Sequence, residues 1–446
     1  MVLCFTEDLL PKDPVYPDDL EKLGFFLTKD DKVRYIVAPD QGPRYKIDRN
    51  DRVNRVHIEA LHGSLRKLVI QRLAGLNMDV VKLPSSGPNA PIIGSRNFNT
   101  ASRVVVYFGE VIEDLGVFSF RDICDDGLDF GSAVGLAKAI LHGQKDSATT
   151  ALILANAGQH VWHNGSDVAM TSASFNNRAQ SYIVENQRPA NSSNIVANNK
   201  SLNAHVRYIF EDILMPHLPV GAKIDVLGMS EGGTAAMSYL AKRWNIWAPH
   251  VSCMALVNPE ALSNDLDMGE ATDSKSFAHF FQTRCRAWIL SDSPIGTLVD
   301  FRDIYGCNTY SCGEDRKSSC MITRGLGHIC SWMKIMNQCP LAREASSVVP
   351  GSESKSSRGH VGAIPKPTDT RPSLVKRFEV DDRLVIERFS EYMTAAWLTA
   401  DVIDIVSRLS EVDQANGDEA AVAIDEATEV SDKAEARTES DGGPVM

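Results

Sequence analysis

One serine in this 446-residue chain stands in a context that favours nucleophilic chemistry. Ser230 lies in the pattern Gly228-x-Ser230-x-Gly232, which follows an apolar run and precedes a helical one. A nucleophile elbow has this strand–turn–helix order, with the serine on a strained backbone and glycines on either side so that strand and helix approach closely. A serine hydroxyl needs a base to take its proton. The pattern therefore predicts acyl-transfer chemistry if a base lies nearby.

A candidate acid and a candidate base follow Ser230 in the order typical of hydrolases. Asp292 comes after the apolar run Cys285–Leu290, and His328 comes after the run Cys320–Thr323. Because the carboxyl ends of parallel strands meet at one edge of a sheet, we expect the three residues to form a triad in which Asp292 orients His328, the general base. Two other carboxylates could serve as the acid: Asp300 and Asp303.

The predicted oxyanion hole consists of backbone N–H groups. One belongs to Glu231, directly after the serine, and another to the loop Gly109-Glu110, which follows the first long apolar run. Two such donors would stabilise the negative charge that develops on an attacked carbonyl oxygen. This scheme requires no cofactor and no metal ion.

The sequence context of other histidines and cysteines indicates structural roles for them. His160 and His163 flank Trp162 after an apolar run and are predicted to lie in a loop at the same sheet edge, with ligand contact as the open alternative. A group of cysteines lacks the Cys-x-x-Cys spacing of zinc sites, so buried thiols are favoured over a metal site. These cysteines are Cys307, Cys312, Cys320 and Cys330.

The elements that must position these residues follow an alternating order. Short apolar runs alternate with segments of helical period, which favours an α/β fold with a mostly parallel sheet and helices on both faces. A hairpin of Val33–Val37 and Tyr45–Ile47 is predicted at the start of this sheet. Six runs are predicted to be its strands: Val104–Phe108, Ala151–Ala155, Lys223–Leu227, Val251–Val257, Cys285–Leu290 and Cys320–Thr323.

Composition and charge narrow the function classes. The chain is 43% hydrophobic with a net charge of −12, and 11 acidic against 2 basic residues lie in Glu411–Met446, so the rest is close to neutral. Without clustered basic residues, direct nucleic-acid binding is disfavoured. No apolar run has the length of a membrane span, and nine cysteines show no disulfide framework, which favours the nucleus or cytoplasm.

The organisation predicted beyond the sheet is a domain at 18–340, a disordered linker at 341–377, an amphipathic helix at 378–410 and a disordered acidic tail at 411–446. Within the domain, the polar stretch Thr171–Asn203 is where a hydrolase would carry a lid. One face of the helix, which could dock on the domain or bind a partner, collects its apolar residues: Phe389, Tyr392, Met393, Ala396, Trp397, Ala400 and Ile403.

Several blocks of sequence between Asp18 and Pro340 carry a family resemblance. They are Leu20-Glu-Lys-Leu-Gly-Phe-Phe26, Tyr45-Lys-Ile-Asp-Arg-Asn-Asp-Arg-Val-Asn54, Ala101-Ser-Arg-Val-Val-Val-Tyr-Phe-Gly-Glu110, Asp126-Gly-Leu-Asp-Phe-Gly-Ser-Ala133, Ala155-Asn-Ala-Gly-Gln159 and Arg284-Cys-Arg-Ala-Trp-Ile-Leu-Ser-Asp-Ser-Pro-Ile-Gly296. These blocks resemble the fungal Argonaute-binding protein two domain family.

The resemblance implies an α/β-hydrolase-like fold, related to the C-terminal domain of class II histone deacetylases. It also implies a protein-interaction role in small-RNA-directed heterochromatin silencing, with Argonaute, histone deacetylase or chromatin factors as partners. It does not imply turnover, because the nucleophile serine is not a dependable feature of such domains. The sequence thus supports two functions: an interaction domain, or a serine hydrolase of the carboxylesterase type that uses Ser230, Asp292 and His328.

Overall fold

A nine-stranded mixed sheet forms the centre of the described chain. The computed structural model describes residues 13–141, 150–155, 157–179, 195–196, 199–260 and 268–344. The strands and helices are β1 (Phe25–Leu27), β2 (Val33–Tyr35), α1 (Asp51–Gly75), β3 (Met78–Leu83), β4 (Ala90–Ser95), β5 (Arg103–Phe108), α2 (Phe120–Asp126), α3 (Leu128–Gly131), α4 (Ala133–Leu141), β6 (Thr150–Ala155), β7 (Val161–His163), β8 (Val168–Met170), α5 (Ser172–Asn177), α6 (Leu202–Tyr208), β9 (Lys223–Met229), α7 (Ser230–Trp247), β10 (Val251–Val257), α8 (Phe277–Arg284), β11 (Cys285–Ile289), β12 (Leu298–Val299), α9 (Arg302–Tyr305), β13 (Asn308–Ser311) and α10 (Met321–Gln338).

The sheet has the order β12-β13-β11-β10-β9-β5-β6-β4-β3. The strands from β13 through β6 in this order are parallel, while β12, β4 and β3 are antiparallel to their neighbours. The carboxyl ends of β5, β9, β10 and β11 therefore lie along one edge, which is where α/β sheets place their sites.

Alternate side chains of the central strands reach the two faces of the sheet. In β5, Val105 and Tyr107 join one buried cluster, whereas Val104, Val106 and Phe108 join the other. Helices α1, α4 and α10 contribute to the first cluster, and α6, α7 and α8 contribute to the second. The predicted α/β class, with a mostly parallel sheet between two helical layers, is confirmed.

Five of the six predicted strands are confirmed as β5, β6, β9, β10 and β11, but the sixth is wrong. Cys320–Thr323 lies at the end of a 3₁₀ turn and the start of α10. Met321, Ile329, Trp332 and Met336 of this helix are buried at helical spacing, and a short apolar run cannot distinguish such a helix from a strand. The strand beside β11 is instead β13.

The predicted pairing of Val33–Val37 with Tyr45–Ile47 is also wrong. Val33–Tyr35 pairs with Phe25–Leu27 in a two-stranded sheet separate from the central one. The segment that contains Ile47 leads into α1 instead, because Asn54 Oδ1 accepts hydrogen bonds from the backbone N–H groups of Ile47 and Asp48, both at 2.8 Å.

The described residues after position 340 pack against the sheet and its last helix. The carboxylate of Glu344 is buried and accepts hydrogen bonds at 2.9 Å from each of three side chains: Arg286, Asn308 and Trp332. These donors belong to β11, β13 and α10, so Glu344 fastens the end of the described chain to three elements. The predicted linker, helix and acidic tail otherwise lie outside the described residues.

No helix in the described ranges combines the length and apolar character that crossing a membrane requires.

Candidate functional site

The turn between β9 and α7 has the geometry of a nucleophile elbow. Met229 ends the strand, Ser230 begins the helix, and Ser230 has φ +45°, which is the left-handed region that a serine rarely adopts. The side chain is largely buried, with an exposed fraction of 9%. The predicted strand–turn–helix around Ser230 is therefore present, and it carries the backbone strain expected of an elbow.

The glycines on either side are required by close backbone contacts. A Cβ on Gly232 would lie 2.6 Å from Phe108 O and would also collide with Gly109 O. A Cβ on Gly228 would collide with the backbone of Gly233. Because the obstructing atoms are backbone atoms, they cannot move aside as a flexible side chain would. The Gly-x-Ser-x-Gly pattern thus lets α7 start directly against β9 and the loop after β5.

The hydroxyl of Ser230 is engaged by Asn258 rather than by a histidine. Asn258 Nδ2 donates to Ser230 Oγ at 3.1 Å, and Ser230 Oγ donates to Asn258 O at 3.3 Å. Asn258 directly follows β10 and also has a positive φ, +48°. The proton that a catalytic serine gives to a base is here directed to a backbone carbonyl, which cannot accept it in a transfer step.

The structure places the predicted acid and base on the surface of the described residues. Asp292 is exposed in the loop after β11, and His328 is exposed on helix α10 with its ring against Gly296. Within the described ranges, no hydrogen bond or ion pair joins Ser230, Asp292 and His328. His328 lies within helix α10 and does not follow a strand, so the strand order does not bring it to the sheet edge where Ser230 lies. Asp300 and Asp303 are exposed as well.

The predicted oxyanion loop does lie against the elbow. Gly232 touches the carbonyls of Phe108 and Gly109, and Glu231 Oε1 accepts a hydrogen bond from the N–H of Val111 at 3.0 Å. The N–H of Glu231 is in the first turn of α7, where backbone donors have no partner within the helix. Glu110 is buried in the same loop. The three predicted residues Glu231, Gly109 and Glu110 are therefore brought together.

The surroundings of this loop are acidic. Tyr107 Oη donates to Glu113 Oε2 at 2.8 Å, and a Cβ on Gly109 would collide with the Glu113 carboxylate. Burial, together with the charges of Glu110 and Glu231, raises the pKa of Glu113 well above its usual value. Burial and the charge of Glu231 also raise the pKa of Glu260. The negative charges of Glu110 and Glu231 that raise the pKa of Glu113 would also oppose an oxyanion that developed beside this loop.

A second serine does contact a histidine, and no local sequence pattern indicates this pair. His160 Nε2 lies 3.2 Å from Ser172 Oγ, and His160 Nδ1 lies 3.0 Å from Gly158 O. Ser172 falls in the stretch predicted to form a lid, of which α5 and the start of α6 are described. The two residues are twelve positions apart, so only the pairing of β7 with β8 could have indicated their contact.

The cysteines of the described ranges are free thiols rather than metal ligands. In the described ranges, no three histidine, cysteine or acidic side chains come together as ligands of a metal ion. Cys307, Cys312 and Cys320 are buried free thiols, and burial raises the pKa of each.

A sequence model of the Arb2 domain matches residues 16–295, which is more than half of the chain. No curated protein matches the chain.

Several solved esterase structures are similar to the chain. An esterase from Pyrobaculum calidifontis is 14% identical, and the match covers 68% of this chain and 97% of that one with a TM-score of 0.29. A bacterial heroin esterase is 12% identical, with 62% and 91% covered and a TM-score of 0.28. Esterase LipW from Mycobacterium marinum is 14% identical, with 66% and 92% covered and a TM-score of 0.31. At such scores these structures add nothing to the α/β-hydrolase-like fold, which rests on the strand order and the elbow.

Proposed function

Since this chain belongs to the Arb2 domain family, we propose that it is a protein-interaction domain of small-RNA-directed heterochromatin silencing, working in Argonaute chaperone or histone deacetylase assemblies. In this proposal the partners are proteins, namely Argonaute, a class II histone deacetylase or another chromatin factor. The place of action is the nucleus, the cytoplasm or both.

One observation supports the non-catalytic form of this proposal above the others. Ser230 has the backbone of a nucleophile, but its hydroxyl is held by the side-chain amide and the backbone carbonyl of Asn258. An amide has no useful basicity at neutral pH, so Asn258 cannot take the place of an imidazole. Within the described ranges no base contacts the Ser230 hydroxyl, so this elbow has the packing of the hydrolase-like fold but not the means to activate the serine.

The charge around the elbow agrees with this interpretation. Glu113 is buried against Gly109, and Glu231 and Glu110 are close enough to raise its pKa. An active hydrolase places hydrogen-bond donors and positive potential where negative charge develops, since such groups account for much of the rate enhancement. The negative charges of Glu110 and Glu231 beside the loop would reduce that stabilisation.

Direct binding tests the proposal. The purified full chain is immobilised and exposed to purified Argonaute and to a purified class II histone deacetylase from the same organism. We expect retention of at least one of them, equally by the unaltered protein and by Ser230→Ala, because the hydroxyl faces Asn258 rather than a partner. Loss of retention in Ser230→Ala with intact folding would show that the elbow itself is used. Retention of neither protein would refute the proposed role.

The alternative function is a serine hydrolase of the carboxylesterase type with Ser230, Asp292 and His328. The left-handed backbone of Ser230 and the contact of Gly232 with the loop after β5 favour it, because both belong to the geometry of a working elbow. It requires the Ser230 hydroxyl to leave Asn258. A fluorophosphonate adduct on Ser230, lost in Ser230→Ala and in His328→Gln, would establish it.

A further inference from the structure

The β7–β8 hairpin brings a serine and a histidine together at its open end. Val161 pairs with Met170 in this antiparallel hairpin, so the residues just outside the pair, His160 on one strand and Thr171 on the other, are neighbours. Ser172 follows Thr171 as the first residue of α5. The side chains of His160 and Ser172 then meet, with 3.2 Å between Nε2 and Oγ. Both residues are half-buried, so each keeps some contact with solvent.

The hydrogen bonds of His160 define which ring nitrogen is basic. Nδ1 lies 3.0 Å from Gly158 O, and because a carbonyl oxygen can only accept, Nδ1 carries the proton. In the neutral ring Nε2 then has the free lone pair, and it can accept the hydroxyl proton of Ser172. A nucleophile, a base within hydrogen-bond reach and a third group that orients the base make up the arrangement that activates serine.

The protonation state of His160 fits that arrangement. Burial lowers the pKa of His160 below its usual value, and hydrogen bonds to the backbone of Gly158 and Ala157 offset this only in part. The ring is therefore neutral at physiological pH, as a general base must be.

We propose that Ser172, with His160 as its general base, is a nucleophile that accepts the acyl group of a carboxylic ester. Ser172 Oγ attacks the carbonyl carbon while its proton moves to His160 Nε2. The ester C–O bond breaks, and the alcohol leaves with that proton, so that the acyl group stays on Ser172. A water molecule then gives a proton to His160 Nε2 and attacks the acyl carbon. The bond between the acyl carbon and Ser172 Oγ breaks, the carboxylic acid leaves, and the proton on Nε2 returns to Ser172 Oγ.

The orienting group indicates the class of ester. In the Ser–His–Asp arrangement a carboxylate stabilises the imidazolium that forms during attack. Here the partner of Nδ1 is the neutral carbonyl of Gly158, which stabilises that charge less. The pair is therefore suited to esters with a good leaving group, such as aryl esters, and not to amides.

The chain contains a matched pair for comparison. His163 Nδ1 and Ser166 Oγ are 2.7 Å apart at the turn between β7 and β8, where His163 is half-buried and Ser166 is exposed. This pair lies in the same hairpin and is formed within a four-residue turn. It tests whether any contact between a serine and a histidine gives reactivity, or only the contact in which the serine is half-buried.

The experiment uses the full chain, a fluorophosphonate probe with peptide mapping, and hydrolysis of p-nitrophenyl acetate. We expect the adduct on Ser172, and a loss of labelling rate of about 100-fold or more in Ser172→Ala and in His160→Asn. Ser166→Ala and His163→Asn should label like the unaltered protein. Folding of Ser172→Ala should be preserved, because the cap of α5 is Thr171, whose Oγ1 accepts from the N–H of Ser174 at 3.1 Å.

Three outcomes would overturn the proposal. An adduct on Ser230 would move the reactivity to the elbow and would support the alternative function instead. Equal labelling of Ser172→Ala and the unaltered protein, both folded by circular dichroism, would remove Ser172 from the chemistry. The absence of any adduct on folded protein would exclude an activated serine at either place, while leaving the interaction role untouched.

Discussion

The two serines of this domain divide between them the features that a serine nucleophile needs. Ser230 has the strained backbone, the close glycines and the oxyanion loop, but its hydroxyl is bonded to Asn258. Ser172 has ordinary helical surroundings and an oriented histidine, but no elbow. The difference separates two requirements that are usually met together: a backbone that presents the hydroxyl, and a base that takes its proton.

The comparison shows that an elbow can be required for the packing of a helix on a sheet, independently of catalysis. Gly228 and Gly232 are confined by backbone atoms of β5, its loop and α7, so they are needed wherever the helix starts so close to the sheet. The cap of α5 does not depend on the Ser172–His160 pair, since Thr171 provides it. Three changes test whether this contrast holds.

The largest effect is expected at Gly232. In Gly232→Ala the new methyl group would collide with the carbonyls of Phe108 and Gly109, so we expect the free energy of unfolding to fall by about 3 kcal/mol. Urea denaturation measures it. Gly327→Ala in α10 is the control, because no heavy atom lies within 4 Å of its Cβ position, and it should leave stability unchanged or raise it. A tolerated Gly232→Ala would mean that close packing does not explain the elbow.

A smaller effect is expected at Ser230. Ser230→Ala and Ser230→Gly both lose the hydrogen bonds to Asn258, but only glycine accepts a φ of +45° without strain. We expect Ser230→Gly to be more stable than Ser230→Ala by about 1–2 kcal/mol. At Ser172, which is helical, the order should be reversed, with glycine less stable than alanine by up to about 1 kcal/mol. The same order at both positions would contradict the proposed contrast in strain.

The smallest effect is expected at Glu113, where pH is the variable. Its pKa is raised in the folded protein, so ionisation favours the unfolded chain, and stability falls as the pH rises above the ordinary range of a glutamate. Glu113→Gln cannot ionise and should melt a few degrees higher at pH 7, with the difference shrinking to zero in acid. A difference in melting temperature that is constant with pH would show that ionisation of Glu113 does not destabilise the folded protein.

The central strands could be predicted because each is a continuous apolar run between turn signals, as in Val251–Val257. The strand Asn308–Ser311 was missed since its sequence, Asn-Thr-Tyr-Ser, is polar. It lies next to the edge of the sheet, where Asn308 binds Glu344 and Thr309 donates to Val299 O. Those partners are distant in sequence or weakly patterned, so the local composition contained no sign of them.

The site shows the same limit. The elbow could be predicted because its requirement for glycine is local, and the loop at Gly109 followed from the strand before it. Asn258 was not predicted, since its contact with Ser230 depends on the pairing of β9 with β10 and on a left-handed backbone. The His328 prediction depended on a strand that is a helix.

The crowding around Gly232 has a consequence for how such chains are classified. Any protein that inherits this arrangement must keep the two glycines at 228 and 232 to remain folded, whether or not a reaction still takes place there. A search for the Gly-x-Ser-x-Gly motif would therefore identify the fold but would not show whether the protein is catalytically active. The residue after β10 is more informative, because Asn258 at that position binds the Ser230 hydroxyl.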